Sequence, residues 1–236
     1  MSSNSKFSLN NSSIDPEEAL IVDRIFTAVM EQRLAPKTKL SEPKLCETFG
    51  VGRMRVRRAL LLLAAQGIVD LQSNRGAYVA CPTPTEAEEV FAARELVEES
   101  IVRKMAASPD ESKLAALRDH VKQEDQARVD ADRSELIRLS GEFHVELAKA
   151  HGNSVLTKML RELVTRSSLI VGIFGVNRGV TCPDDEHTRI LDAISAGDGD
   201  AAAGLAAHHL RHISEGLDLS QHRKKDDDLT AILGSA

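Results

Sequence analysis

Phe49-Gly50-Val51-Gly52-Arg53-Met54-Arg55-Val56-Arg57-Arg58-Ala59-Leu60 is the stretch that decides the fold of this 236-residue chain. Its two glycines close one helical pattern and open another. Upstream, Glu42–Phe49 fits a short helix with Leu45 and Phe49 turned inward. Downstream, Val56, Ala59, Leu60 and Leu63 recur at the spacing of one buried stripe, over about Arg53 to Gln66. A tight turn between the two needs a residue that tolerates positive φ, and Gly50 supplies it with no Cβ to clash. Two short helices joined in this way have the dimensions of a helix-turn-helix. With the apolar stripe inward, Arg53, Arg57 and at least one of Arg55 and Arg58 point outward together.

The flanks extend the pattern. Asp15-Pro16-Glu17-Glu18 reads as a helix start, and Leu20, Ile21, Ile25, Phe26 and Val29 carry helical spacing to about Gln32. Pro36 ends that segment. After Gly67, Ile68–Leu71 and Ala77–Val79 are β-like and flank the turn-rich Gln72–Gly76, which predicts a hairpin. Three helices and a hairpin over residues 15–80 is the order of a winged helix-turn-helix. Residues 1–14, rich in Ser and Asn, are expected to be a disordered arm. Residues 81–85, with Pro82 and Pro84, read as an interdomain linker. Residues 86–219 read as a helical domain of six or seven helices, roughly 85–107, 110–130, 133–150, 154–173, 183–196 and 199–217. Capping boxes at Thr85-x-x-Glu88, Ser108-Pro109-Asp110-Glu111 and Asp132-x-x-Glu135 support the starts, and Gly172–Pro183 is a loop or a helix end plus a loop. Residues 220–236, with the charged run His222–Asp228 and little to bury, are expected to be mobile. The fold class is mainly α.

Composition narrows the function. No apolar run approaches the roughly 18 residues of a membrane span, and the polar N-terminus lacks the apolar core of a signal peptide. Cys46, Cys81 and Cys182 are odd in number and unclustered, which argues against a disulfide frame or a thiolate zinc site and for a cytoplasmic location. The net charge of −6 hides an asymmetry: residues 15–80 carry a net +2 and residues 81–236 a net −9. The excess concentrates in 43–58, where Lys44, Arg53, Arg55, Arg57 and Arg58 face only Glu47. A local basic cluster on an acidic protein can engage phosphate while the rest of the surface repels non-specific sites.

In a helix-turn-helix the N-terminal end of the second helix enters the major groove. An arginine there can form two parallel hydrogen bonds to guanine O6 and N7, and others hold phosphate. Arg75-Gly76 at the hairpin tip could reach the minor groove or the backbone. Leu40-Ser41-Glu42, Leu45, Gly50-Val51-Gly52-Arg53-Met54-Arg55-Val56-Arg57-Arg58-Ala59-Leu60, Leu63, Gly67, Ile68-Val69 and Arg75-Gly76-Ala77-Tyr78-Val79 resemble the DNA-binding signature of the GntR family of bacterial regulators. The resemblance covers about residues 17–80 and implies DNA contacts from Lys44, Arg53, Arg55, Arg57, Arg58, Arg75 and Gly76. Three positions depart from the pattern: Gly52 replaces the usual Ser or Thr, Arg55 a Pro or Thr, and Arg58 a Glu. The operator sequence is therefore not carried over.

Histidines 144, 187 and 209 lie on three different predicted helices. Glu142-Phe143-His144-x-x-Leu147, Gly152-Asn153, Asp185-Glu186-His187-x-x-Ile190-Leu191-x-Ala193-Ile194-x-x-Gly197-Asp198 and His209-Leu210 resemble the FCD ligand-binding domain. That resemblance implies a divalent, Zn-like metal held by His144, His187 and His209. Its further ligand is an Asp or Asn four residues before the first histidine, on the same helix face. Here that position is Ser140, a poor ligand, so metal binding stays open; without metal the three imidazoles would line a polar pocket for an anion. His208 is a rival for His209. Arg94, in Arg94-x-x-x-Glu98, matches the family's recurrent arginine, implied to hold an effector carboxylate; a surface i, i+4 salt bridge to Glu98 is the other reading. His120, His151, His212 and His222 match nothing and are expected to be exposed. Together these implications describe a ligand-responsive repressor, a homodimer on a palindromic operator in double-stranded DNA, answering to a small anionic metabolite. The alternative is a metal-dependent hydrolase with a histidine-lined helical site.

Overall fold

The computed structural model describes residues 14–175, 185–219 and 228–234. They form two compact units, one from the chain up to Pro82 together with the C-terminal segment, the other from Thr83 to Leu219.

The first unit holds α1 (Pro16–Met30), β1 (Lys39–Leu40), α2 (Glu42–Phe49), α3 (Arg53–Ala65), β2 (Val69–Gln72) and β3 (Gly76–Val79). Asp15 caps α1 by accepting from the Glu17 amide at 2.9 Å, with Pro16 at the first helical position. Gly50 ends α2 at φ 66°, the left-handed conformation the turn requires. Gly52 precedes α3 with no side-chain cap, the local cost of lacking the usual hydroxyl. The buried stripe of α3 is Val56, Ala59, Leu60 and Leu63; α3 packs against α1, whose buried residues include Ile21, Val22, Ile25 and Val29. The wing is larger than a hairpin: β1 adds to it in the order β1-β3-β2, all antiparallel, with Lys39 opposite Tyr78 and Leu40 opposite Ala77.

The C-terminal segment departs from expectation. Residues 220–227 and 235–236 lie outside the described residues, but Leu229–Gly234 forms a helix, α10, in which Leu229 and Leu233 are buried. Two leucines four apart give this short stretch an apolar edge that the charged run before it obscures.

The second unit is all helical: α4 (Pro84–Ala107), α5 (Glu111–Val129), α6 (Arg133–His151), α7 (Ser154–Phe174), α8 (Glu186–Ser195) and α9 (Gly199–Glu215). Pro84 is not linker. It occupies the first turn of α4 behind Thr83, whose hydroxyl accepts from the Glu86 amide. Asp110 rather than Ser108 caps α5, whereas Asp132 caps α6 from the Glu135 amide as the spacing predicts. The loop expected at Gly172–Pro183 starts later, because α7 runs to Phe174; residues 176–184 lie outside the described residues. Among the described residues no helix is long and apolar enough to cross a membrane. The core joins Ile101 and Val102 of α4, Leu114 and Leu117 of α5, Phe143 and Leu147 of α6, Ile190, Leu191 and Ile194 of α8, and Ala202 and Ala203 of α9.

The crossing of α6 and α7 is close because residue 141 has no side chain. A Cβ there would lie 2.8 Å from Ser168 Oγ and 3.0 Å from Val164 Cγ1. Gly141→Val is expected to lower stability by about 1–3 kcal/mol through overpacking. At roughly 2–4 °C per kcal/mol for a chain of this size, a thermal melt should show the loss as several degrees in Tm. An unchanged Tm would mean the helices separate at no cost.

Candidate ligand site and nucleic-acid interface

In the helical unit the sequence-predicted histidines come together. His144 on α6, His187 on α8 and His209 on α9 are 1%, 3% and 0% exposed. His209 Nε2 lies 3.1 Å from His144 Nε2 and 3.2 Å from His187 Nε2. One lone pair or one N–H on His209 cannot serve both neighbours as straight hydrogen bonds. The opposite ring nitrogens each meet a carboxylate. His187 Nδ1 is 2.7 Å from Glu124 Oε2 and His209 Nδ1 is 2.7 Å from Glu186 Oε2. His144 Nδ1 is 2.6 Å from Glu98 Oε2, off the line of a straight N–H bond. A carboxylate at Nδ1 fixes that nitrogen as the proton carrier and leaves Nε2 as the lone-pair face.

Three Nε2 faces therefore converge inside a buried shell. Ligands about 2.1 Å from one Zn-like ion stand roughly 3.0 to 3.4 Å apart between octahedral and tetrahedral geometry. The observed 3.1 and 3.2 Å fall in that range. His144, His187 and His209 are the one such cluster among the described residues. Phe143 stacks on the His187 ring at 4.0 Å between centroids and 18° between planes, which sets its orientation. Burial holds His144 neutral: it pushes the imidazole well below its ordinary pKa, and although Glu98 pulls the other way, Arg94 adds to the lowering. Glu98 goes down to about 2, since Arg94 and His144 together outweigh the burial that would raise it. Glu186 also falls to about 2, with burial outweighed by its hydrogen bonds with His209 and His212.

The outer carboxylates are what the sequence reading missed. Glu98 stands there only as a salt-bridge partner, Glu186 as part of a motif, and Glu124 not at all. Glu186 sits beside His187 in sequence yet serves His209, while Glu124 sits on α5, remote from every motif. His208 is not a rival for His209: its side chain is 64% exposed and its Nδ1 lies 3.5 Å from Glu186 Oε1, outside the histidine cluster. His212 has a partner as well, Glu186 Oε1 at 3.0 Å. His120 is half-buried with Nε2 2.8 Å from the Leu139 carbonyl, and His151 is half-buried too, so neither is the exposed residue expected. His222 lies outside the described residues. Ser140 lies one turn before His144, on the inward side of α6.

Arg94 makes the i, i+4 pair with Glu98, in the interior and not, as expected, on the surface. Its Nε donates to Glu98 Oε1 at 2.8 Å, the buried i, i+4 pair, and its Nη1 donates to Ser167 Oγ at 2.8 Å. Its Nη2 is buried without a partner. A buried guanidinium nitrogen with no acceptor is costly, and it is the donor an anion would satisfy.

In the first unit the basic residues divide. Lys44, Arg53, Arg75 and Gly76 are exposed, and Lys44, Arg53 and Arg75 form no ion pair among the described residues. The other three arginines face carboxylates of their own unit. Arg55 is 2.8 Å from Glu17 and 3.6 Å from Asp15, Arg57 lies 3.0 Å from Glu42, and Arg58 lies 3.4 Å from the buried Glu18. Both arginines that depart from the usual pattern, Arg55 and Arg58, are thus answered by the acidic first turn of α1. At the wing, Asn74 takes φ 59° and the Arg75 amide donates to the Gln72 carbonyl at 3.1 Å, which presents Arg75 at the tip.

Comparison with known proteins agrees with both halves. Residues 18–79 match the family of bacterial regulatory proteins called gntR, and residues 89–212 match the FCD domain. The chain belongs to the GntR family and carries an FCD domain. It is 30% identical to an HTH-type transcriptional regulator in an unstable DNA locus of Streptomyces ambofaciens, over 80% of each chain. It is 26% identical to the HTH-type transcriptional regulator LutR of Bacillus subtilis, over 78% of this chain and 93% of that one. The HTH-type transcriptional repressor RspR of Escherichia coli is 25% identical, over 83% and 85%. Two solved structures share the fold: a GntR transcriptional regulator from Rhodococcus sp. RHA1, with TM-score 0.70 and 23% identity over 85% and 97% of the chains, and Escherichia coli McbR/YncC, with TM-score 0.66 and 17% identity over 84% and 95%. This GntR-family chain is a DNA-binding transcriptional regulator and not an enzyme, so the hydrolase reading is not favoured.

Proposed function

We propose that this GntR-family regulator is a repressor that holds a divalent first-row ion on His144, His187 and His209 and releases or tightens its operator when a small carboxylate metabolite binds beside that ion. The observation that carries the reading is the convergence of three buried Nε2 atoms, each imidazole backed by a carboxylate. The ion would supply a Lewis-acidic attachment point for the carboxylate. With Ser140 in place of an acidic ligand, fewer protein groups compete with the effector for that ion. Arg94 Nη2 is the second anchor proposed for the effector. The repressor sense is supported by RspR, which bears that description.

On the DNA side, Arg53 is the proposed base reader, with Lys44, Arg75 and the Gly76 backbone on phosphate or groove edge. Arg55, Arg57 and Arg58 are proposed to contribute field more than contact, since their carboxylate partners must be given up first. Two recognition helices reading successive turns of a palindrome call for two-fold symmetry, so a cytoplasmic homodimer is part of the proposal. An effector can shift operator affinity only as far as it prefers one dimer geometry over another.

Glu98 joins the two anchors, with one oxygen toward His144 and the other on Arg94. Glu98→Gln is expected to weaken metal binding about 10- to 100-fold by loosening its outer support. Competition against a chromogenic chelator measures this, and an unchanged affinity would remove Glu98 from the site.

A further inference from the structure

The surface formed by α1 and α2 carries an occupant of its own. Helix α10 has six residues, too few to hold helical structure in water without tertiary contacts. It is nevertheless finished at both ends. Asp228 Oδ1 accepts from the amides of Thr230 at 3.0 Å and Ala231 at 3.4 Å. At the other end, where unpaired carbonyls attract cations, Arg33 Nη1 donates to the Ile232 carbonyl at 2.7 Å and Arg24 Nη1 to the Leu233 carbonyl at 3.1 Å. Leu229 and Leu233 are 2% and 1% exposed. Thr48 of α2 places its hydroxyl 3.4 Å from that of Thr230. Two buried leucines, a capped N-terminus and two arginines on the C-terminal carbonyls make a specific seat.

The chain order gives that seat a consequence. The sensing unit runs from Thr83 to Leu219, and the C-terminal segment then groups with the DNA-binding unit. We propose that the α1–α2 surface is a docking site for the chain's own C-terminal helix, tying the DNA-binding unit to both ends of the sensing unit. One tether is the chain at Pro82–Thr83; the other starts from α9, the helix that carries His209, and ends on α2. In a helix-turn-helix the helix before the recognition helix crosses the phosphate backbone, and Lys44 lies one turn from Thr48 on α2. A second covalent tether limits how far the DNA-binding unit can travel from the sensing unit. The seat itself rests on neither metal nor effector, so its test stands apart from the proposed function.

The test uses the full chain with Thr48→Cys and Thr230→Cys, and with Cys46→Ala to remove a neighbouring thiol. After mild oxidation with diamide, non-reducing gels and peptide mapping identify the linked pair. The expected result is a disulfide between the two introduced thiols within a single chain. A crosslink found only at dimer mass would assign the helix to a second copy, and no crosslink in a chain with normal melting would remove the seat; either overturns the proposal. Independently, the full chain with Leu229→Asp and Leu233→Asp should show about tenfold or faster amide exchange in α2, with exchange around His144 unchanged. Unaltered exchange in α2 overturns it as well.

Discussion

Replacing His187 by alanine is expected to abolish tight metal binding and, separately, to destabilise the metal-free protein. The first effect follows from the ligand count. Two imidazoles remain, His144 and His209, and neither Ser140 nor any other described residue completes the cluster. The second follows from Glu124. This carboxylate is about 1% exposed and faces His187 at 2.7 Å, with Arg128 more distant at 3.4 Å. Burial alone would raise its pKa, and His187 is the main group that reverses the direction. Without His187 a buried carboxylate loses its closest hydrogen-bond donor and keeps only the more distant Arg128, a change of about 1–3 kcal/mol. The two effects separate by calorimetry with and without Zn²⁺. The native protein should gain roughly 2.7 kcal/mol at a hundredfold excess of ion over Kd, and the variant none. Equal stabilisation of both by Zn²⁺ would place the ion elsewhere.

Arg53→Ala is expected to weaken operator binding by about 1–3 kcal/mol and to relax preference at one base pair. Arg53 opens α3, is exposed and carries no ion pair among the described residues, so no described carboxylate competes for it. Arg58→Ala should cost much less, because binding through Arg58 first gives up its contact with Glu18. Its mark should be on salt dependence, a slope smaller by about one, with sequence preference kept. Anisotropy titrations of both variants against the native upstream duplex and single-base variants distinguish these outcomes. Equal losses for Arg53 and Arg58 would assign both to phosphate.

How far the sequence reaches differs between the parts. Helix α2 and the start of α3 are legible to the residue, because two glycines and one apolar stripe set local structure with little help from elsewhere. Strand β1 is not, since two residues have no periodicity and Lys39–Leu40 is extended only by pairing with β3. The same holds for α10, whose order depends on residues about 200 positions away. In the ligand site the histidines stand out through their motif contexts. The carboxylates behind them do not, because a buried glutamate and a solvated one look alike until packing places the helix. Arg94 shows the limit most sharply: sequence offers a salt bridge or an anion contact, and the side chain has nitrogens for both.

The most direct test of the central claim is an anisotropy titration of the Zn²⁺-loaded protein on its own upstream DNA, at several salt concentrations, with and without a panel of small carboxylates. The expected result is salt-sensitive binding that prefers the native duplex over a scrambled one and is shifted by at least one carboxylate only while the histidine triad is intact. Equal affinity for native and scrambled DNA, or a carboxylate response that survives His187→Ala, would contradict it.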